Sequence, residues 1–173
     1  MTIQIGDRIP KATLAQATAE GPKPVSTADI FAGKTVALFA VPGAFTPTCS
    51  ARHLPGFKEH LADLKAKGVD AVACISVNDA FVMKAWAESQ GIEDDSILML
   101  ADGNGELTKA LGLVLDGSGF GLGERSQRYS MLVKDGTVTQ LNIEQGGEFK
   151  VSSAEHLLAQ LLSLIHISEP TRR

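Results

Sequence analysis

The chain predicts an α/β fold, a central mixed β-sheet flanked by helices on both faces. Three observations predict it. The continuous apolar run 35–41 (TVALFAV) suits a strand buried on both faces, and the run 69–77 (VDAVACISV) reads as a second central strand. Each of these runs is followed by a stretch with helical periodicity. Two later runs, 129–133 and 138–143, flank the turn Lys134-Asp135-Gly136 and read as an antiparallel hairpin.

The elements follow in order. Residues 3–31 carry Gly6, Pro10, Gly21, Pro22 and Pro24, which favours short strands and turns over a long helix. After the first buried strand, Pro42-Gly43 closes the run and residues 46–50 turn. Leu54, Phe57, Leu61 and Leu64 then mark a helix over about 48–67, with Pro55 kinking its first turns. Asp79 caps a helix over 80–90 that Gly91 ends. A third strand spans 97–101, the Asp102-Gly103 turn follows, and 106–111 is a short helix. Residues 112–127 hold five glycines and read as a long loop. A last helix over 153–161, capped by Ser152 or Ser153, packs back on the sheet.

One domain is expected over residues 1–161. Residues 162–173 (LSLIHISEPTRR) break the preceding pattern and resemble a translated sequencing adapter or vector scar, so they are set aside as a non-native tail. The formal charge of −4 becomes −5 without that tail, which speaks against nucleic-acid binding. No apolar run is long enough for a membrane span. The opening MTIQIGDRIP has no basic stretch leading into an apolar one, so the expected address is cytoplasmic. Cys49 and Cys74 are the two cysteines, too few for a disulfide scaffold or an all-thiolate metal site.

Cys49 has the most informative surroundings. It follows a buried strand and falls in the first turn of the next helix. There the free N–H groups and the helix dipole stabilise a thiolate. Pro42 and Pro47 stiffen the approach, and Thr46, three residues earlier, can aim its hydroxyl at the sulfur or at a bound oxygen. Arg128 opens a central strand, where its guanidinium can hold a thiolate charged and hydrogen-bond an incoming oxygen. Arg125 reads as a solvated charge or loop anchor. Cys74 lies mid-strand and reads as buried and inert.

Other chemistries find little support. No cysteine follows Cys49 at the C-x-x-C spacing of a dithiol. His53, His60, His156 and His166 lack metal spacing, and His60 and His156 suit surface or capping roles. A Cys–His nucleophile pair with a distant partner stays open at this point. Gly119, Gly121 and Gly123 are followed by Glu124 and flanked by neither strand nor helix, so the dinucleotide fingerprint fails. No cofactor and no metal are expected.

The segment PGAFTPTCS carries Pro42, Thr46 and Cys49 in the P-x-x-x-T-x-x-C signature and resembles the peroxiredoxins. The blocks at 74–86 (CISVNDAFVMKAW), 100–113 (LADGNGELTKALGL) and 125–136 (RSQRYSMLVKDG) are similar to the atypical subgroup of peroxiredoxin 5 and the type II enzymes. The likeness runs over about 5–161. It implies a thioredoxin-like fold and reduction of hydrogen peroxide or alkyl hydroperoxides. Cys49 is the implied peroxidatic cysteine, oxidised to a sulfenic acid. Thr46 and Arg128 match the residues that hydrogen-bond thiolate and peroxide, Pro42 the one that shields the sulfur.

One departure shapes the expected partners. The mammalian enzyme's resolving cysteine falls in the region matching 145–155, where this chain has none. The resemblance therefore implies a one-cysteine enzyme resolved by an external thiol, glutathione with or without glutaredoxin, with thioredoxin the other candidate. The family also dimerises, and Ala44, Phe45, Phe81, Leu115 and Phe120 would lie on that face. The alternative reading is a peroxide-sensing or thiol-disulfide redox protein on the same fold, without efficient turnover.

Overall fold

The computed structural model describes residues 2–92, 94–145 and 148–168, with side chains to Leu162. Its order is β1 (Thr13–Thr18), β2 (Gly21–Ser26), α1 (Thr27–Phe31), β3 (Thr35–Val41), a π-helical turn (Cys49–His53), α2 (Leu54–Glu59) and α3 (Leu61–Ala66). There follow β4 (Ala71–Ser76), α4 (Ala80–Ser89), β5 (Leu98–Ala101), α5 (Glu106–Leu111), β6 (Val114–Asp116), β7 (Glu124–Ser126), β8 (Tyr129–Lys134), β9 (Thr137–Ile143) and α6 (Ala154–Ser168). Seven strands form one mixed sheet in the order β2-β1-β5-β4-β3-β8-β9. Strands β3, β4 and β5 are parallel, and β8 closes on β3 antiparallel.

Strand β3 is the centre of the molecule because both its faces are apolar. Ala37, Phe39 and Val41 join one buried cluster with Phe57, Leu64, Trp86 and Leu157. Val36, Leu38 and Ala40 join the other, with Phe31, Leu107, Leu111 and Met131. The strand's two-residue period thus feeds two cores, which is why its sequence is continuously apolar. Each fully buried side chain of this kind contributes about 1.5–3 kcal/mol.

Local chemistry sets the boundaries. Ser26 and Asp29 form a capping box on α1, and the Asp79 carboxylate accepts from the Val82 N–H at the start of α4. Asp135 and Gly136, both at positive φ, form the tight turn of the β8–β9 hairpin.

Three expectations are corrected. The helix predicted over 48–67 is divided into the π-turn, α2 and α3. Pro55 has no N–H for the Ala51 carbonyl, and the Leu54 N–H reaches back to the Cys49 carbonyl instead, while His60 breaks the helical angles before α3. The glycine-rich 112–127 segment is a small β6–β7 hairpin around a 3₁₀ turn, since its ends pair in register from Val114–Ser126 to Asp116–Glu124. Helix α6 runs past Leu161 to Ser168, as no glycine or proline intervenes. The remainder of the expected tail, 169–173, lies outside the described residues. Ser153 caps α6, its hydroxyl accepting from the His156 N–H at 3.1 Å. Among the described residues no helix is long and apolar enough to cross a membrane.

Candidate active site

Sheet topology brings the predicted residues together. Tyr129 pairs with Ala40, so Arg128, the residue before β8, stands at the end of β3 from which the chain enters the Cys49 turn. The intervening loop is shaped by tight contacts. A Cβ on Gly43 would lie 3.3 Å from a Thr46 methyl and 3.4 Å from Arg125, so only glycine fits there without displacement. Phe45 takes a left-handed backbone, φ 65°, with its ring 55 % exposed. Asn78 pins the loop to the end of β4: its side-chain oxygen accepts from the Ala44 N–H at 3.0 Å and from the Ser76 hydroxyl at 2.5 Å. Arg125 is a loop anchor, donating to the carbonyls of Leu122 at 2.9 Å and Val77 at 3.2 Å.

Cys49 is fully buried. Its sulfur lies 2.8 Å from the Thr46 hydroxyl and 3.1 Å from Nη2 of Arg128. The threonine hydroxyl also lies 2.7 Å from the Gly43 carbonyl. It has one proton for these two acceptors. Beside a thiolate it donates to sulfur; beside a thiol it accepts S–H and donates to Gly43. Arg128 has no such choice, since a guanidinium only donates. Pro42 is half-buried directly after β3.

A residue missed by sequence reasoning completes the cluster. His53, one turn beyond Cys49, is fully buried; its Nδ1 accepts from Nη1 of Arg128 at 2.8 Å. Its Nε2 lies 2.9 Å from the Ser152 carbonyl and donates to it. Burial first, and the Arg128 charge second, push the imidazole down to about 3, so it stays neutral with its proton on Nε2. The Ser152 segment is itself gathered by buried Glu144. That carboxylate accepts from the N–H groups of Lys150, Val151 and Ser152 and from the Ser152 hydroxyl, at 2.7–3.0 Å. Burial opposes its charge, yet these donors hold its titration below the ordinary carboxylate range. The signal for His53 was its i+4 spacing from Cys49, which sets both on one helical face.

Cys74 lies in β4 beside Phe39 of β3, fully buried, and burial pushes its thiol well above the ordinary range. It is inert as a nucleophile in this conformation. Both cysteines are free. His60 sits half-buried near Asp63, apart from the site. Among the described residues no group of three His, Cys, Asp or Glu could hold a metal.

A buried sulfur between a hydroxyl and a fixed guanidinium suits attack on a small, polarisable oxygen–oxygen bond. The chain matches the Redoxin family model over residues 4–158. It is 57 % identical to chloroplastic Peroxiredoxin-2E-2 of Oryza sativa subsp. japonica, covering 92 % of this chain and 73 % of the relative. It is 42 % identical to the hybrid peroxiredoxin hyPrx5 of Haemophilus influenzae, covering 98 % and 70 %. Among solved structures, reduced Prx3 of Vibrio vulnificus in complex with H₂O₂ superposes with a TM-score of 0.88 at 57 % identity, covering 92 % of this chain and 99 % of that one.

Proposed function

The chain belongs to the redoxin family, within its peroxiredoxins, and is a thiol-dependent peroxidase; from that premise we propose that Cys49 is the sulfur peroxide oxidises and that an external thiol restores it. The observation that carries this reading is the convergence of the Thr46 hydroxyl and the Arg128 guanidinium on one sulfur, at 2.8 and 3.1 Å, while the other cysteine is locked inside the sheet.

The thiolate attacks the nearer peroxide oxygen. An S–O bond forms, the O–O bond breaks, and the leaving oxygen departs as water or alcohol after taking a proton. Charge moves from sulfur to the leaving oxygen during this step. Arg128 and Thr46 lie where donors can follow it, and Pro42 walls the sulfur from bulk water. His53 is a positioning residue: by accepting from Nη1 it turns Nη2 toward the sulfur.

The sulfenic acid then meets a thiol from outside. Thiol attack on sulfur forms a mixed disulfide and releases water, and a second thiol regenerates Cys49 and leaves as a disulfide. Glutathione, alone or with glutaredoxin, is the proposed donor, thioredoxin being the competitor. Coupled assays decide between them: turnover is expected with glutathione and its reductase, accelerated by glutaredoxin, and a requirement for thioredoxin would overturn the assignment.

A homodimer is proposed on the exposed residues Phe45, Phe81 and Phe120, at 55, 72 and 88 % exposure. Sedimentation of the full chain tests it, with Phe81→Glu expected to shift the species to monomer. The cytoplasm is the proposed compartment, consistent with two free thiols, and fractionation checks it.

A further inference from the structure

Four arginines precede residue 162, and three of them, Arg52, Arg125 and Arg128, gather around Cys49 in a chain of net charge −4. Among the described residues, none of the three pairs with a carboxylate within 4 Å. Two have work: Arg128 faces the sulfur and His53, and Arg125 holds the loop carbonyls. Arg52 is different. It is exposed, three residues from Cys49, and its guanidinium makes no hydrogen bond among the described residues. It lies 4.7 Å over the ring of Phe149. Stacking on a ring holds a guanidinium in place while leaving its N–H edges free for a planar acceptor.

Phe149 is also the wall of the site. Its edge meets the His53 ring at 5.0 Å, and Arg128 lies 5.9 Å from its centre. One ring therefore spaces Arg52 from the group that touches sulfur. With both guanidinium carbons so close to one centroid, their separation is within the span of a tripeptide, about 10–11 Å. We propose that Arg52, braced by Phe149, is the docking point for a carboxylate of the thiol that resolves the Cys49 sulfenic acid, so that the site selects a small anionic thiol such as glutathione.

The assignment rests on the external-thiol reading above. Docking holds the thiol sulfur near Cys49. The S–O bond then breaks, the S–S bond forms, and the hydroxyl leaves as water with the thiol proton. Because Arg52 shares a turn with Cys49, it stays near the sulfur if that turn loosens to admit the thiol.

The test uses the full chain oxidised by one equivalent of peroxide. Rates of sulfenic acid loss are compared for glutathione and for glutathione diethyl ester, the same thiol with both carboxylates masked. The ratio of the two rates cancels differences in how much sulfenic acid forms. Wild type is expected to favour glutathione by about fivefold at low salt, with the preference fading as ionic strength rises. Arg52→Gln is expected to remove the preference and Arg52→Lys to restore part of it. Equal ratios in wild type and Arg52→Gln overturn the Arg52 assignment while leaving the external-thiol reading intact. If neither thiol reacts and Cys49 instead forms a disulfide with Cys74, the external-thiol reading falls, and the Arg52 assignment with it.

Discussion

At the scale of single residues, chemically similar groups have unequal roles. The two cysteines differ by environment: one sulfur faces two donors, while the other lies fully buried in β4, where burial raises its titration. Cys49→Ser is expected to abolish peroxide consumption and Cys74→Ser to keep most of it, measured by peroxide loss under saturating thiol. Arg128→Lys keeps the charge but cannot serve sulfur and His53 together; it and Thr46→Val are each expected to slow sulfenic acid formation by about 10²-fold, the scale of a lost transition-state donor. Rates within twofold of wild type would remove those donors from the chemistry. His53 gives a stability prediction with a definite sign. Folded, it titrates near 3; unfolded, near its ordinary 6.5. The unfolded chain therefore gains the proton first as pH falls. The contribution of neutral His53 is complete above 6.5 and is lost below it at about 1.4 kcal/mol per pH unit, down to the folded value. Urea midpoints at pH 7 and 5.5 should show this loss, and His53→Gln should flatten it, because glutamine can accept from Arg128 without titrating.

At the scale of elements, the π-turn that carries Cys49 follows from one proline. Pro55 leaves the Ala51 carbonyl without a helical donor, and the Leu54 N–H spans to Cys49 instead. In Pro55→Ala, the restored N–H favours an ordinary α-turn, which would rotate Cys49 away from Thr46 and Arg128. About a tenfold slower reaction with peroxide is expected, read by stopped-flow fluorescence of Trp86. That residue is the sole tryptophan, and its Nε1–H donates to Ser50 beside the cysteine at 2.9 Å. An unchanged rate would show that the turn does not set the sulfur's position. The same element shows where sequence reasoning stopped. Periodicity located a helix and proline foretold a disturbance, but a 3.6-residue pattern cannot distinguish a kink from a widened turn. The 112–127 segment failed for another reason. Its two three-residue strands are too short to show alternation, and glycine masked the pairing. By contrast, β3 and β4 were legible because burial on both faces writes a continuous apolar run.

At the scale of the whole molecule, the sheet joins distant sequence into one site. Arg128 and Cys49 are 79 positions apart, and only the antiparallel closure of β8 on β3 makes them neighbours. Cys49, Thr46 and Pro42 were readable as one local segment, and Arg128 by its place at a strand entry. The support behind them was not. Glu144, Ser152 and Asn78 act through backbone groups, and their partners are fixed by topology rather than by a spaced motif. The fold also hides Cys74 from solvent, in keeping with the proposal that the reductant is an outside molecule. Intact mass after one equivalent of peroxide, with peptide mapping of both cysteines, tests this most directly. The account predicts one added oxygen on Cys49, replaced by a glutathione adduct when that thiol is supplied, with Cys74 a free thiol throughout. Loss of two hydrogens through a Cys49–Cys74 disulfide, or oxidation at Cys74 alone, would contradict it.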